Sequence, residues 1–279
     1  MRLVLLTALT MIAFAANSIL NRLALAAGTI DAVSFGTIRL VSGAAILALL
    51  VLASRRSLSF TAPGRWASVA ALLIYIFGFS LGYVATDAGL GALILFGTVQ
   101  ITLFTAAIRA GETVTLARKL GTAIAFAGLA LVLWPSGGVT LDLIASGCLV
   151  AAGIGWGLYT LNGRRTTDPL GATMTSFVLA APLGLLLSLA VRLGGHPALL
   201  TPDGVLLAIV SGAITSGLGY ALWYTVLPRL ATTTAAIAQL AVPILAVAGG
   251  ILFLSEPLTP TFALATLLVT GGVALSLRR

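Results

Sequence analysis

Apolar stretches follow one another along almost the whole chain, near 3–25, 31–53, 66–85, 88–108, 117–134, 142–161, 170–192, 204–226, 231–254 and 261–277. Only short Gly, Pro or charged punctuation separates them. Each is close to the ~20 residues that an α-helix needs to cross ~30 Å of hydrocarbon. No water-soluble core absorbs ten such segments: 8% of the 279 residues are charged, against roughly 25% in a soluble domain. With 59% hydrophobic residues and a mean hydropathy of +1.15, the solvent is lipid. Short loops leave backbone polar groups to be satisfied inside helices, as the bilayer requires. The chain therefore reads as an all-α membrane protein of ten transmembrane helices.

The net charge of +8 would suggest nucleic acid in a soluble protein, but here the basic residues stand singly or in pairs between apolar runs and read as topology signals. Counted by alternate loops, one side receives twelve positive charges: Arg2, Arg55, Arg56, Arg65, Arg109, Arg118, Lys119, Arg164, Arg165, Arg229, Arg278 and Arg279. The other side receives Arg22 and Arg192 together with Asp31, Asp87, Asp142, Asp203 and Glu256. The positive-inside rule places both termini in the cytoplasm. One helix more or fewer in the middle would scramble this asymmetry. Arg2, the run Leu3 to Ile12 and Ala13-Phe14-Ala15 also imitate a signal peptide, but the repeat below needs this segment as helix 1. Cys148 and His196 are isolated, so neither a disulfide framework nor a metal site is expected.

Leu81-Gly82-Tyr83 in helix 3 recurs as Leu218-Gly219-Tyr220 in helix 8, Gln100 in helix 4 corresponds to Gln239 in helix 9, and Glu112 and Gly128 match Glu256 and Gly272. A repeat of five helices reverses direction when it recurs, so two halves, 1–138 and 139–279, would form inverted repeats about a central cavity, the arrangement of many secondary transporters. Asn17 to Asn21, Arg39, the stretch Gly89-Leu90-Gly91-Ala92-Leu93-Ile94-Leu95-Phe96-Gly97-Thr98-Val99-Gln100, Pro243 and Ser255-Glu256-Pro257-Leu258 carry a resemblance that covers the whole chain. By these the chain resembles the drug/metabolite transporter superfamily, EamA-like, with ten helices in two five-helix repeats. The Gly89 to Gln100 stretch looks most like the YddG-type exporters. That resemblance implies export of aromatic and other neutral amino acids across a bacterial inner membrane.

Polar and aromatic residues inside membrane helices mark a pathway unless they anchor at the interface. Tyr75, Phe79 and Tyr83 recur every four residues and share one face of helix 3. With Trp156 and Tyr159 of helix 6 and Tyr220, Trp223 and Tyr224 of helix 8 they would build an aromatic cage for amphipathic solutes. Gln100 and Gln239 read either as midplane substrate ligands or as interhelical glue, and Asn17 and Asn21 invite the same two readings. Arg39, well within helix 2, must face water, a carboxylate or carbonyl oxygens; it would hold a substrate carboxylate or serve a structural pair. Gly78-xxx-Gly82 and Gly153-x-Gly155-x-Gly157 read as close helix packing, and Pro182, Pro228 and Pro243 as bending points.

Every acid falls near a loop and helix 1 carries none, which favours facilitated diffusion or exchange over proton coupling. Efflux of lipophilic cations by proton exchange remains the alternative, with Asp87 and Glu256 as proton sites. A third reading is a membrane scaffold, whose helix faces would be filled with apolar residues. An enzyme would need a converging nucleophile and base or metal ligands at helical spacing, and neither pattern occurs. The expected partners are a small-molecule substrate and the bilayer, with no cofactor, for a monomer.

Overall fold

The computed structural model describes residues 2–54, 60, 64–109, 115–133, 142–163, 166, 168–230, 238–239 and 241–276. These form ten helical rods: α1 Arg2–Ala26, α2 Ala32–Ala53, α3 Arg65–Gly82, α4 Ala88–Arg109, α5 Leu116–Leu133, α6 Leu143–Gly163, α7 Pro169–Leu193, α8 Pro202–Val226, α9 Ala241–Leu254 and α10 Pro260–Ser276. Seven of them (α1 to α4 and α6 to α8) are long and apolar enough to cross a membrane within the described residues. The expected spans agree within a few residues; the stretch 231–237 of expected helix 9 and Arg55, Arg56, Arg164, Arg165, Arg278, Arg279, Glu112 and Met1 lie outside the described residues. The lower end of the bundle is where α1 starts and the upper end where it stops.

Local chemistry sets the helix ends. Asp31 caps α2, its carboxylate accepting from Ser34 N at 2.8 Å, and Asp168 caps α7 by accepting from Gly171 N at 3.2 Å. These two caps stand as far apart in the chain as Tyr83 and Tyr220 do. α2 packs on α7, α4 on α9 and α5 on α10; α3 packs on α6 as α8 does on α1, and α4 on α6 as α9 does on α1.

Glycines let these helices approach. A Cβ on Gly153 would stand 2.7 Å from Leu95 O and 2.6 Å from Thr98 Cβ of α4. One on Gly155 would stand 2.7 Å from Ala71 O of α3, and one on Gly78 would stand 2.7 Å from Cys148 O of α6. The close-packing expectation for both glycine motifs holds.

Two clasps close the upper end. The α1–α2 and α7–α8 links meet at an antiparallel bridge between Ile30 and Leu200, with Thr201 N donating to Thr29 O (3.0 Å) and Leu199 N to Asp31 Oδ2 (3.1 Å). Beside it, Arg22 of α1 pairs with Asp87 at 3.2 Å and with Glu256 at 3.5 Å, and Arg22 Nη1 donates to Val84 O at 3.0 Å. Glu256, just past α9, takes the Ala88 N–H on both oxygens at 2.8 and 2.9 Å. It therefore caps α4 from the far half of the chain, where the helix dipole favours an anion.

Burial, with Asp87 adding to it, pushes the Glu256 carboxyl above its ordinary value of 4.5, against the opposing pull of Ala88 N–H and Arg22. Folding thus favours the protonated form more than the unfolded chain does, so this contribution to stability is fully present below 4.5 and is lost as pH rises through the raised folded value. Thermal unfolding in detergent is expected to show this decline as pH rises above 4.5, and Glu256→Gln to flatten it. Gly153→Val is expected to lower Tm far more than Gly147→Val, whose Cβ would meet nothing within 4 Å. Overpacking of a tight contact costs about 1–3 kcal/mol.

Candidate functional site

Roughly two turns into α2, Arg39 is 0% exposed. An unpaired charge within a membrane helix costs at least ~2.5 kcal/mol, so its partners decide whether the fold tolerates it. Arg39 Nε donates to Ser216 Oγ at 2.8 Å, and Nη2 donates to Tyr75 Oη at 3.1 Å and Tyr220 Oη at 2.9 Å. Tyr220 Oη donates onward to Tyr75 Oη at 3.0 Å. The guanidinium carbon lies 4.9 Å from the Phe79 ring centroid and 5.2 Å from that of Tyr75, within cation–π range. Neutral hydroxyls and rings thus hold the charge. The ion pairs among the described residues lie at the upper end, on Arg22. Arg39 Nη1 has no acceptor among the described residues.

The local winding of α8 makes this possible. Ser211–Leu218 is a π-helical segment, whose i→i+5 pattern is frequent at functional sites. It brings Ser211, Thr215 and Ser216 to one side, where all three hydroxyls donate to Asn17 Oδ1 of α1, Ser211 at 2.8 Å and Ser216 at 3.5 Å. Within that segment Gly212 lies directly on the α2 backbone at Arg39 and on the Ser42 hydroxyl.

The rings close round the same point. Trp156 of α6 stands 4.9 Å from both Tyr75 and Tyr220, centroid to centroid. Phe14 of α1 sits edge-on to Trp156, Tyr220 and Trp223 at 5.5, 5.7 and 5.9 Å, an arrangement the ring quadrupoles favour. Below, Trp156 leads to Tyr159 (5.8 Å) and Tyr159 to Tyr224 (6.0 Å). Tyr159 and Tyr224 line a polar cleft of about 20 Å³ with Arg65, Asn162, Thr173 and Ser176, room for about one water. Above, Phe79 meets Tyr83 edge-on at 4.6 Å between centroids, and the Tyr83 hydroxyl donates to Ser18 Oγ at 2.8 Å.

The structure thus gathers Arg39, Tyr75, Phe79, Trp156, Tyr220 and Trp223 into one cluster, with Asn17 tied to it and Tyr159 and Tyr224 beneath it. Asn21 is different: it donates to Asn17 O within α1 at 2.9 Å and accepts from Ser80 Oγ of α3 at 3.2 Å, so it links two helices. Tyr83 likewise belongs to the upper packing. Gln100 and Gln239 make no hydrogen bond to the cluster among the described residues, and Gln100 Nε2 and Gln239 Oε1 are unpaired there. Sequence reasoning missed Phe14, which it saw only as part of a cleavage-site look-alike, and Phe177, 5.8 Å from Tyr220. It also missed the hydroxyls Ser211, Thr215 and Ser216; their i, i+4, i+5 spacing in an apolar helix was the available signal.

Residues 143–278 match the model of the EamA-like transporter family. An uncharacterized protein of Pseudomonas aeruginosa is 45% identical over 280 residues, 99% of this chain and 94% of that protein. The chain belongs to the EamA-like transporter family. An uncharacterized transporter of Archaeoglobus fulgidus is 27% identical over 215 residues, 74% of each chain. A solved crystal structure superposes with a TM-score of 0.69 over 96% of this chain and 97% of its own at 19% identity, a likeness of fold. This EamA-like transporter is accordingly a multi-pass membrane protein with transport as its activity.

Tyr75→Phe and Tyr220→Phe each remove one hydrogen bond to a buried charge, typically about 1.5–3 kcal/mol. Because the two hydroxyls also bond each other, the double variant is expected to lose measurably less than the sum, coupling by about 0.5 kcal/mol or more in a double-mutant cycle of unfolding free energies.

Proposed function

We propose that this EamA-like transporter carries small amphipathic metabolites out of the cytoplasm, aromatic and other neutral amino acids foremost, in the manner of the YddG-type exporters. The observation that carries the reading is Arg39: a buried guanidinium with an unpaired Nη1 inside a cage of rings. The free N–H engages the substrate carboxylate, and Tyr75, Phe79, Trp156, Tyr220 and Trp223 receive its apolar body. Gln100 and Gln239, each with a free amide atom, are proposed as polar contacts along the path, and Asn17 as the anchor of the π segment.

Halves 1–138 and 139–279 act as inverted repeats that rock about this cluster. The matched helix pairings, and the Asp31 and Asp168 caps in equivalent places, support that division. The preponderance of basic residues at the lower end supports a cytoplasmic location for it and for both termini in a bacterial inner membrane. With two clasps closing the upper end and the polar cleft beside Tyr159 and Tyr224 at the lower, substrate enters from the cytoplasmic end once the helices part there.

Transport is facilitated, because the charge at the site is a guanidinium, while Glu256 of the upper clasp caps α4 and both Glu256 and Asp87 pair with Arg22. The same guanidinium repels a cationic drug, which argues against the proton-exchange alternative. Purified protein reconstituted in liposomes as the full chain is expected to take up labelled phenylalanine saturably without a pH gradient. Uptake that requires an imposed gradient, or that lipophilic cations alone show, would sink the reading.

A further inference from the structure

The unpaired polar atoms of the buried core are unequally divided. Arg39 Nη1, Trp156 Nε1 and Trp223 Nε1 are donors without an acceptor among the described residues. All three are donors whatever the orientation of any amide, since neither an indole nor a guanidinium nitrogen accepts. They surround one group of rings: Trp156 is 4.9 Å from Tyr75, which carries the Arg39 guanidinium over its face at 5.2 Å, and Trp223 is 5.9 Å from Phe14, itself 5.5 Å from Trp156. Asn17 Nδ2 and Gln100 Nε2 add amide donors, Gln239 Oε1 is an amide acceptor, and the hydroxyls of Ser146 and Thr160, unpaired among the described residues, can donate or accept. Buried donors are nearly always paired in folded proteins. This set therefore awaits a group rich in lone pairs.

Charge points the same way. Arg39 is the charged side chain among the buried polar residues, and neither of the described ion pairs reaches it. The faces of Tyr75 and Phe79, which would otherwise attract an ammonium group, already carry the guanidinium at 5.2 and 4.9 Å. A second cation there would meet like charge in a medium that screens it poorly.

Resting on the reading of this cluster as the substrate site, we infer that it recognises an aromatic monocarboxylate, net charge −1, and makes no demand for an α-ammonium group. The carboxylate takes the Arg39 Nη1 donor and an indole N–H, and the ring stacks in the cage. Amino acids enter by their carboxylate end; hydroxy acids of the same shape enter at least as well. Movement of a monoanion carries one negative charge outward, down the inside-negative potential. Such export needs no proton partner, in keeping with a buried site that holds no carboxylate among the described residues. A potential on the order of 100 mV shifts the equilibrium ratio of a monovalent ion about fiftyfold.

The test uses two solutes that differ only in a hydroxyl replacing an ammonium, labelled phenyllactate and phenylalanine, with the full-length protein in liposomes at pH 7.5 and protein-free vesicles as the baseline. A potassium diffusion potential set with valinomycin drives the flux. The expected result is saturable phenyllactate transport at least as fast as that of phenylalanine, with the phenyllactate equilibrium ratio moving about fiftyfold for ~100 mV and the phenylalanine ratio unmoved. Arg39→Gln is expected to lower phenyllactate transport about tenfold or more; Trp156→Phe, which keeps a ring and loses the N–H, raises its KM several-fold even if Arg39→Gln does not fold. Phenylalanine transport without phenyllactate transport overturns the inference and leaves the exporter reading standing. Phenyllactate transport indifferent to the potential also overturns it, since a proton then travels with the anion. Transport of neither solute overturns both.

Discussion

A guanidinium buried two turns inside a membrane helix is the constraint round which the other helices are arranged. Arg39 brings together α2, α3 and α8 by hydrogen bonds to Tyr75, Ser216 and Tyr220, and α1 and α6 through the rings that pack on those tyrosines. Because its partners are neutral, the charge is tolerated but not cancelled. A structural ion pair would have filled the site with its own counter-ion. Here hydroxyls accept from Nε and Nη2, while Nη1, with its two N–H groups, has no acceptor among the described residues and the whole unit of charge remains.

The rest of the bundle serves that geometry. The π winding of α8 aims three hydroxyls at Asn17 and Arg39 from one side. Gly212 allows α8 to lie directly on the α2 backbone there, while Gly153 and Gly155 bring α6 against α4 and α3 so that Trp156 reaches Tyr75. At the upper end, Glu256 caps α4 and meets Arg22, and the Ile30–Leu200 bridge joins two links. Both clasps draw one partner from each half of the chain.

The spans, the charge asymmetry and the lipid environment were legible along the chain because they depend on runs of ~20 residues and on loop composition, which are local properties. The aromatic face Tyr75, Phe79 and Tyr83 was legible too, since helical periodicity determines it. The division of that face was not: Tyr75 and Phe79 hold the guanidinium, while Tyr83 turns to Ser18 at the upper end. Asn17 and Asn21, a turn apart, look alike in sequence, yet one anchors the π segment and the other ties α1 to Ser80. Phe14 was hidden by its resemblance to part of a cleavage site.

What the sequence alone determined is therefore everything with a period or a sign: an all-helical membrane protein, the positions of its helices, its family, and one arginine that had to find company. What only the tertiary structure decided is the nature of that company. Helix crossing sets Tyr75, Tyr220 and Ser216 on Arg39, residues 36, 181 and 177 positions away, and no local pattern encodes a meeting across such distances. The physical reason is that hydrogen-bond satisfaction in lipid is a property of the packed bundle, so which donor stays unpaired emerges only when all the helices are in place.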